Sequence, residues 1–126
     1  MDRNDIIATI TNHLSGREEV VFAYLHGSFQ KRGLFRDIDI AVFSNPGKDL
    51  TYELELGVAL ERLVKRPVDV RLLNHATLAF RFHATRGIVL LSRDEELRDS
   101  FVERTRDQYY DFQPVARKHL KEVLLG

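Results

Sequence analysis

The stretch that decides the reading is HGSFQKRGLFRDIDIAV, His26 to Val42. A Gly27-Ser28 turn leads through a basic loop into an apolar run that carries Asp37 and Asp39, one residue apart. In a strand, residues i and i+2 point to the same face, so the two carboxylates stand side by side, about 7 Å apart between α-carbons. Ile38, Ile40 and Val42 take the opposite face. Two carboxylates that close raise each other's cost of ionisation, and a divalent cation removes the conflict. Hard ions such as magnesium prefer carboxylate oxygens together with water and phosphate oxygens, so the pair looks like half of a two-metal phosphoryl-transfer site. The ordinary alternative is a pair of aspartates at a strand start that simply face water beside a loop.

Context bears on that choice. Glycine directly after a strand lets backbone amides approach an anion closely, and Ser28 adds a hydroxyl, although Gly-Ser alone is a common turn. Lys31 and Arg32 follow as cations suited to phosphate and equally at home on a solvated loop. A third carboxylate, Asp69, sits between two valines in PVDVRLL. Packed beside the Asp37–Asp39 strand it would complete a cage of three carboxylates. By itself it reads as the wet face of an edge strand, with Arg71 as a same-face salt-bridge partner.

Around these residues the chain is divided by periodicity and turn signals. Ile6, Ile7, Ile10 and Leu14 recur at helical spacing over residues 5–14, with Asp2 or Asn4 available as a cap. Val20 to Leu25 is a short β-branched and aromatic run ended by Gly27, which suits a buried strand. Asp37 to Phe43 is a second strand, stopped by Ser44-Asn45-Pro46-Gly47. A helix over about 49–65 is predicted from Leu50, Leu54, Val58, Leu60 and Leu63, and Pro67 follows it. Then come a strand over 68–73, a short helix over 77–84, a strand over 88–91 and a helical pattern from Arg93 nearly to the end. Its apolar side is Leu97, Phe101, Val102, Tyr109, Phe112, Val115, Leu120 and Leu124, and Pro114 within it is expected to kink or restart the helix. The order α-β-β-α-β-α-β-α describes a mixed sheet of about four strands covered by helices, an α/β (α+β) domain with a long C-terminal helical segment.

Bulk composition fits one domain spanning residues 1–126, with 44% hydrophobic and 30% charged residues. Nineteen basic and nineteen acidic side chains cancel, so no overall field draws the chain to nucleic acid, and direct nucleic-acid binding is not expected. The absence of cysteine removes disulfides, thiolate nucleophiles and thiolate zinc sites. Nowhere do about 18 apolar residues run together as a membrane span requires, and the polar start lacks a signal core. A cytoplasmic protein is the expectation. The five histidines, His13, His26, His75, His83 and His119, form no ligand-like spacing. Only His26 adjoins the Gly-Ser turn, and it is given at most a supporting role.

In the order Gly27, Ser28, loop, Asp37-x-Asp39 and later Asp69, the chain resembles the minimal nucleotidyltransferases of the polymerase-β-like superfamily, over about residues 5–91. The resemblance implies that fold, with residues 93–126 as a helical addition. It implies that Asp37, Asp39 and Asp69 are the catalytic and metal-holding residues for two Mg2+ ions, with ATP as substrate. Asp69 would lie nearest the attacking hydroxyl, and Gly27 and Ser28, with Lys31 and Arg32 beside them, would bind the nucleotide. Eight residues separate Ser28 from Asp37, a shorter loop than is usual in the family, and Arg36 stands where a small residue usually precedes the first aspartate.

Small stand-alone proteins of this type resemble the antitoxin half of toxin–antitoxin pairs whose toxin is a helical HEPN-domain ribonuclease. That likeness implies AMP transfer from ATP to a tyrosine of the HEPN partner. Tyr109, Tyr110 and Phe112 are of the kind enriched at protein interfaces, or else pack on the protein's own sheet. Two other functions fit the same sequence. One is a binding module that neutralises the partner by covering it, which the short loop and Arg36 favour. The other is nucleotidyl transfer to RNA or a small molecule.

Overall fold

The computed structural model describes residues 1–27 and 37–125. The elements follow in the order α1 (Arg3–Ser15), β1 (Val20–His26), β2 (Ile38–Ser44), α2 (Leu50–Val64), β3 (Val68–Leu72), α3 (Leu78–Ala84), β4 (Ile88–Ser92) and α4 (Glu95–Leu125). The predicted order is therefore reproduced. The strands form one mixed sheet in the order β3-β2-β1-β4. Strand β1 is antiparallel to both β2 and β4, and β2 runs parallel to β3. This mixed four-stranded sheet with a long C-terminal helix has the architecture that the resemblance implies.

Strand alternation divides the core into two layers. On one face, Ala23, Leu25, Ile38, Ile40, Val42, Val68, Val70 and Leu72 pack against Ile6, Ile10 and Leu14 of α1 and Leu56, Leu60 and Val64 of α2. On the other, Phe22, Tyr24 and Ala41 meet Ala84 and Phe80 of α3 and Phe101 and Val102 of α4. Tyr24, Phe22, Ile38 and Ile40 are among the largest fully buried side chains, which is why the β1–β2 register is fixed: a one-residue slip would turn them to the wrong layer. His26, Asp39 and Asp69 occupy positions of the second face.

Local chemistry accounts for the helix starts. Asp2 and Asp5 form a reciprocal capping box on α1. Asp49 accepts from Tyr52 N–H and Thr77 from Phe80 N–H. Arg93 ties the layers together: its guanidinium donates to the carbonyls of Val20 at 2.8 Å and Ser15 at 2.6 Å.

Two expectations are corrected. The helix predicted over about 49–65 is present, but of the apolar residues whose spacing predicts it Leu60 is buried while Leu50 (66%), Leu54 (63%), Val58 (46%) and Leu63 (42%) are exposed, and the buried set is Leu56, Gly57, Leu60 and Val64. The reason is the way α2 sits on β3. Glu61 accepts from the Val68 N–H (3.0 Å) and Glu53 from the Leu72 N–H (2.8 Å), so this helix covers the strand edge with glutamates instead of leucines. Eight helical residues span about 12 Å and four strand residues about 13 Å, so the two glutamates match the two amides. Gly57 lies midway, where an added Cβ would stand 3.3 Å from the Val68 carbonyl.

The second correction concerns Pro114, which lies inside one continuous α4 and does not restart it. Its missing N–H leaves a carbonyl one turn earlier without a helical partner, at Tyr110, which is 56% exposed and open to solvent. Of the residues assigned to the apolar side of α4, Phe101 and Val102 join the core and Tyr109 stacks on Phe82. Phe112, Val115, Leu120 and Leu124 are exposed.

Candidate functional site

The site is assembled by register at one end of the sheet. His26 is opposite Asp39 across the β1–β2 pair, and Asp39 is opposite Asp69 across the β2–β3 pair. Neighbouring strands lie about 4.8 Å apart, so the three side chains form a row across three strands on one face. Asp37 immediately precedes β2 and is exposed, while Asp39 is half-buried. The sequence expectation that Asp69 packs beside Asp39 therefore holds in the backbone. Its reading as an edge-strand residue holds too: β3 is the outer strand, and Arg71 pairs with Asp69 at 3.3 Å.

Gly27 has φ of 73°, in the left-handed region, and a Cβ there would overlap the Asp39 carboxylate. Only glycine allows the chain leaving β1 to pass so near that group. The candidate residues Ser28, Lys31 and Arg32, and Arg36 with them, lie outside the described residues.

Burial raises the Asp39 carboxyl above its ordinary value; His26 opposes the rise, Asp69 and Asp37 add to it, and Arg71 opposes it. Burial likewise depresses His26, against the pull of Asp39 and Asp69. Asp39 is thus a carboxylate whose surroundings do not fully compensate its charge, which is a place for a cation. Among the described residues no group of three His, Asp or Glu side chains is gathered tightly enough to hold a metal ion alone. Magnesium is ordinarily held by one or two carboxylates together with substrate phosphates, and Asp39 with Asp69 or Asp37 fits that requirement.

A wall of the site went unseen in the sequence. Phe80 of α3 stands with its ring centroid 5.3 Å from that of His26, and the Arg71 guanidinium lies 5.4 Å from the same ring. Phe80 is placed there by the turn between β3 and α3. The Asn74 amide bonds both Ser44 N–H and Ser44 carbonyl, and Arg81 donates to the Leu73 and Asn74 carbonyls. None of these pairings has a sequence spacing that announces it. Beyond Asp69 a groove of about 680 Å³ runs between α2 and the edge of β3. Among the described residues, no helix is long and apolar enough to cross a membrane.

Comparison with known proteins agrees with this fold. Residues 8–96 match the family described as polymerase beta, nucleotidyltransferase. A complex of tri-AMPylated HEPN toxin with MNT antitoxin from Shewanella oneidensis is similar at 21% identity and a TM-score of 0.79, over 98% of this chain and 99% of the other. A toxin–antitoxin structure with AMP-PNP is similar at 21% identity and a TM-score of 0.77, over 98% and 99%. A toxin–antitoxin structure of MntA with HepT is similar at 21% identity and a TM-score of 0.72, over 97% and 96%. At these identities the likeness is one of fold. No curated protein sequence matches the chain significantly.

Proposed function

The chain belongs to the polymerase beta nucleotidyltransferase family, and from that premise we propose that it transfers AMP from ATP to a tyrosine of a HEPN-domain partner, as the antitoxin of a toxin–antitoxin pair in the cytoplasm. The observation that carries the reading is the side-by-side register of Asp39 and Asp69, with Gly27 closed against the Asp39 carboxylate. The partner and the transferred group are supported by the similar solved structures, which include an AMPylated HEPN toxin bound to an MNT antitoxin.

In the proposed reaction the acceptor oxygen forms a bond to the α-phosphorus of ATP as the bond to the bridging oxygen of pyrophosphate breaks. The acceptor proton leaves toward Asp69 and then to solvent, and pyrophosphate departs. Such transfer needs positioning and charge neutralisation more than covalent help from protein. Asp37, Asp39 and Asp69 would hold two Mg2+ ions, which when bound neutralise the phosphate oxygens. Gly27 keeps the turn open at Asp39, and Ser28, Lys31 and Arg32 are the proposed grip on the phosphates. His26, kept neutral by its burial, can lend a hydrogen bond there without adding charge.

A second reading, neutralisation by covering the partner, draws on the exposed apolar residues Phe112, Val115, Leu120 and Leu124 of α4. One experiment separates the two. Incubated with labelled ATP, Mg2+ and the proposed HEPN-domain partner, the chain is expected to label that protein on tyrosine, and the Asp37→Asn, Asp39→Asn double variant is not. Equal labelling by the double variant defeats the transfer reading; full neutralisation without labelling supports the covering one.

A further inference from the structure

We infer that the groove between α2 and the outer edge of β3 receives the acceptor segment of the partner protein, and that Phe80 with Arg71 seats the ring of a phenol acceptor beside Asp69. This rests on the transfer reading above and adds the acceptor's path and the residues that select it.

The direction of approach follows from the order of the strands. In-line transfer requires the attacking and leaving oxygens to lie on opposite sides of phosphorus. The sheet sets out His26, with Gly27 directly after it, at the end of β1, Asp39 on β2 and Asp69 on β3 in one row, each step about 4.8 Å. A phosphorus over Asp39 whose leaving group lies over the Gly27 turn must be attacked from the β3 side. Strand β3 is the outer strand there, and the groove opens beyond it, with Asp69, Val70 and Arg71 on one wall and Leu54 and Val58 on the other.

The chemistry of the walls selects among acceptors. Leu54 and Val58 are exposed on the face of α2 that lines the groove, at 63% and 46%, beside a strand whose outward Val68 and Leu72 amides are already occupied by Glu61 and Glu53. Helix α2 thus blocks both ends of the edge against strand addition and leaves the groove to side chains. Phe80 offers a half-buried aromatic face already attended by the Arg71 guanidinium. A volume of about 680 Å³ falls within the ~300–1,000 Å³ of ligand-sized pockets. A phenol carries its hydroxyl at the far end of a rigid ring, so it can reach Asp69 while its ring lies on apolar walls. Serine or threonine would leave those walls bare and would have to bring the backbone itself up to Asp69.

Two measurements test this with the full chain and the proposed HEPN-domain partner. In steady-state AMP transfer, Phe80→Ala is expected to raise KM for the HEPN protein at least tenfold while leaving KM for ATP within about twofold. A rise in the ATP value with the protein value unchanged would assign the groove to the nucleobase and overturn the proposal, as would no change in either. The second measurement needs no activity. The chain has no cysteine, so Leu54→Cys and Val58→Cys each give one attachment point for a maleimide-benzophenone photo-crosslinker. Both are expected to join the HEPN protein through the segment bearing its modified tyrosine, and Asn12→Cys on α1 is not. Crosslinking without any AMP transfer would retain the groove and refute the transfer reading; no crosslink from either groove position, or equal crosslinking from Asn12→Cys, would refute the groove.

Discussion

Gly27 and Asp39 illustrate how closely backbone and charge are coupled in the site. With φ of 73° and the Asp39 carboxylate where a Cβ would stand, Gly27 takes a side chain only under backbone strain and with Asp39 pushed aside. Gly27→Ala is expected to lower stability by about 1–2 kcal/mol from the left-handed backbone alone, and to displace Asp39 besides. Thermal unfolding checks the first effect and loss of Mg2+-dependent ATP binding the second. Asp39 also carries a pH signature. Its folded-state value is raised, so its contribution to stability is present below the ordinary carboxylate value and is lost as pH rises through the folded value. At neutral pH without divalent ions, Asp39→Asn is therefore expected to melt at a higher temperature than the wild type, with the advantage shrinking toward acid. A variant that melts lower at neutral pH contradicts the electrostatic account. For His26, whose value is lowered, the sign is reversed: its contribution is lost as pH falls from 6.5 through the folded value.

Helix α2 and strand β3 show where pattern reading fails and geometry takes over. A stripe of Leu50, Leu54 and Val58 has the spacing of a buried face, yet these residues are exposed because Glu53 and Glu61 claim the strand edge. Spacing identifies a helix but not which face meets the sheet when the contact is polar. Removing either glutamate frees a strand amide at a half-buried position, so Glu53→Ala and Glu61→Ala are each expected to cost about 1 kcal/mol. Gly57→Leu, driven against the Val68 carbonyl, should cost about 1–3 kcal/mol by overpacking. Urea unfolding measures all three, and neutral values would mean that α2 does not lie against β3 in this way. In α4, Pro114→Ala should strengthen the helix, by up to about 3 kcal/mol locally. Slower amide exchange around residues 110–118 is the sign to look for, and unchanged exchange would mean that α4 does not continue through Pro114.

Across the whole molecule, the order of elements was legible because each strand is a short β-branched run bounded by Gly or Pro, and each helix carries a cap or a period. The neighbourhood of Asp39 and Asp69 was legible because a charge inside an apolar strand demands a reason. What the sequence hides is long-range: the Asn74 clamp on Ser44, the Arg93 tie to α1, and the aromatic wall at Phe80 all join residues 7 to 78 positions apart by contacts that no periodicity encodes. The outer half of α4 likewise reads as an apolar face but finds nothing to pack on among the described residues of its own chain. The most direct trial of the central claim is a crystal of the chain with Mn2+ and a non-hydrolysable ATP analogue, read by anomalous diffraction. Manganese is expected between the Asp39 and Asp69 carboxylates, with Arg71 released from Asp69 and the phosphates leading toward Gly27. Manganese and nucleotide bound elsewhere, with Asp69 still paired to Arg71, would contradict it.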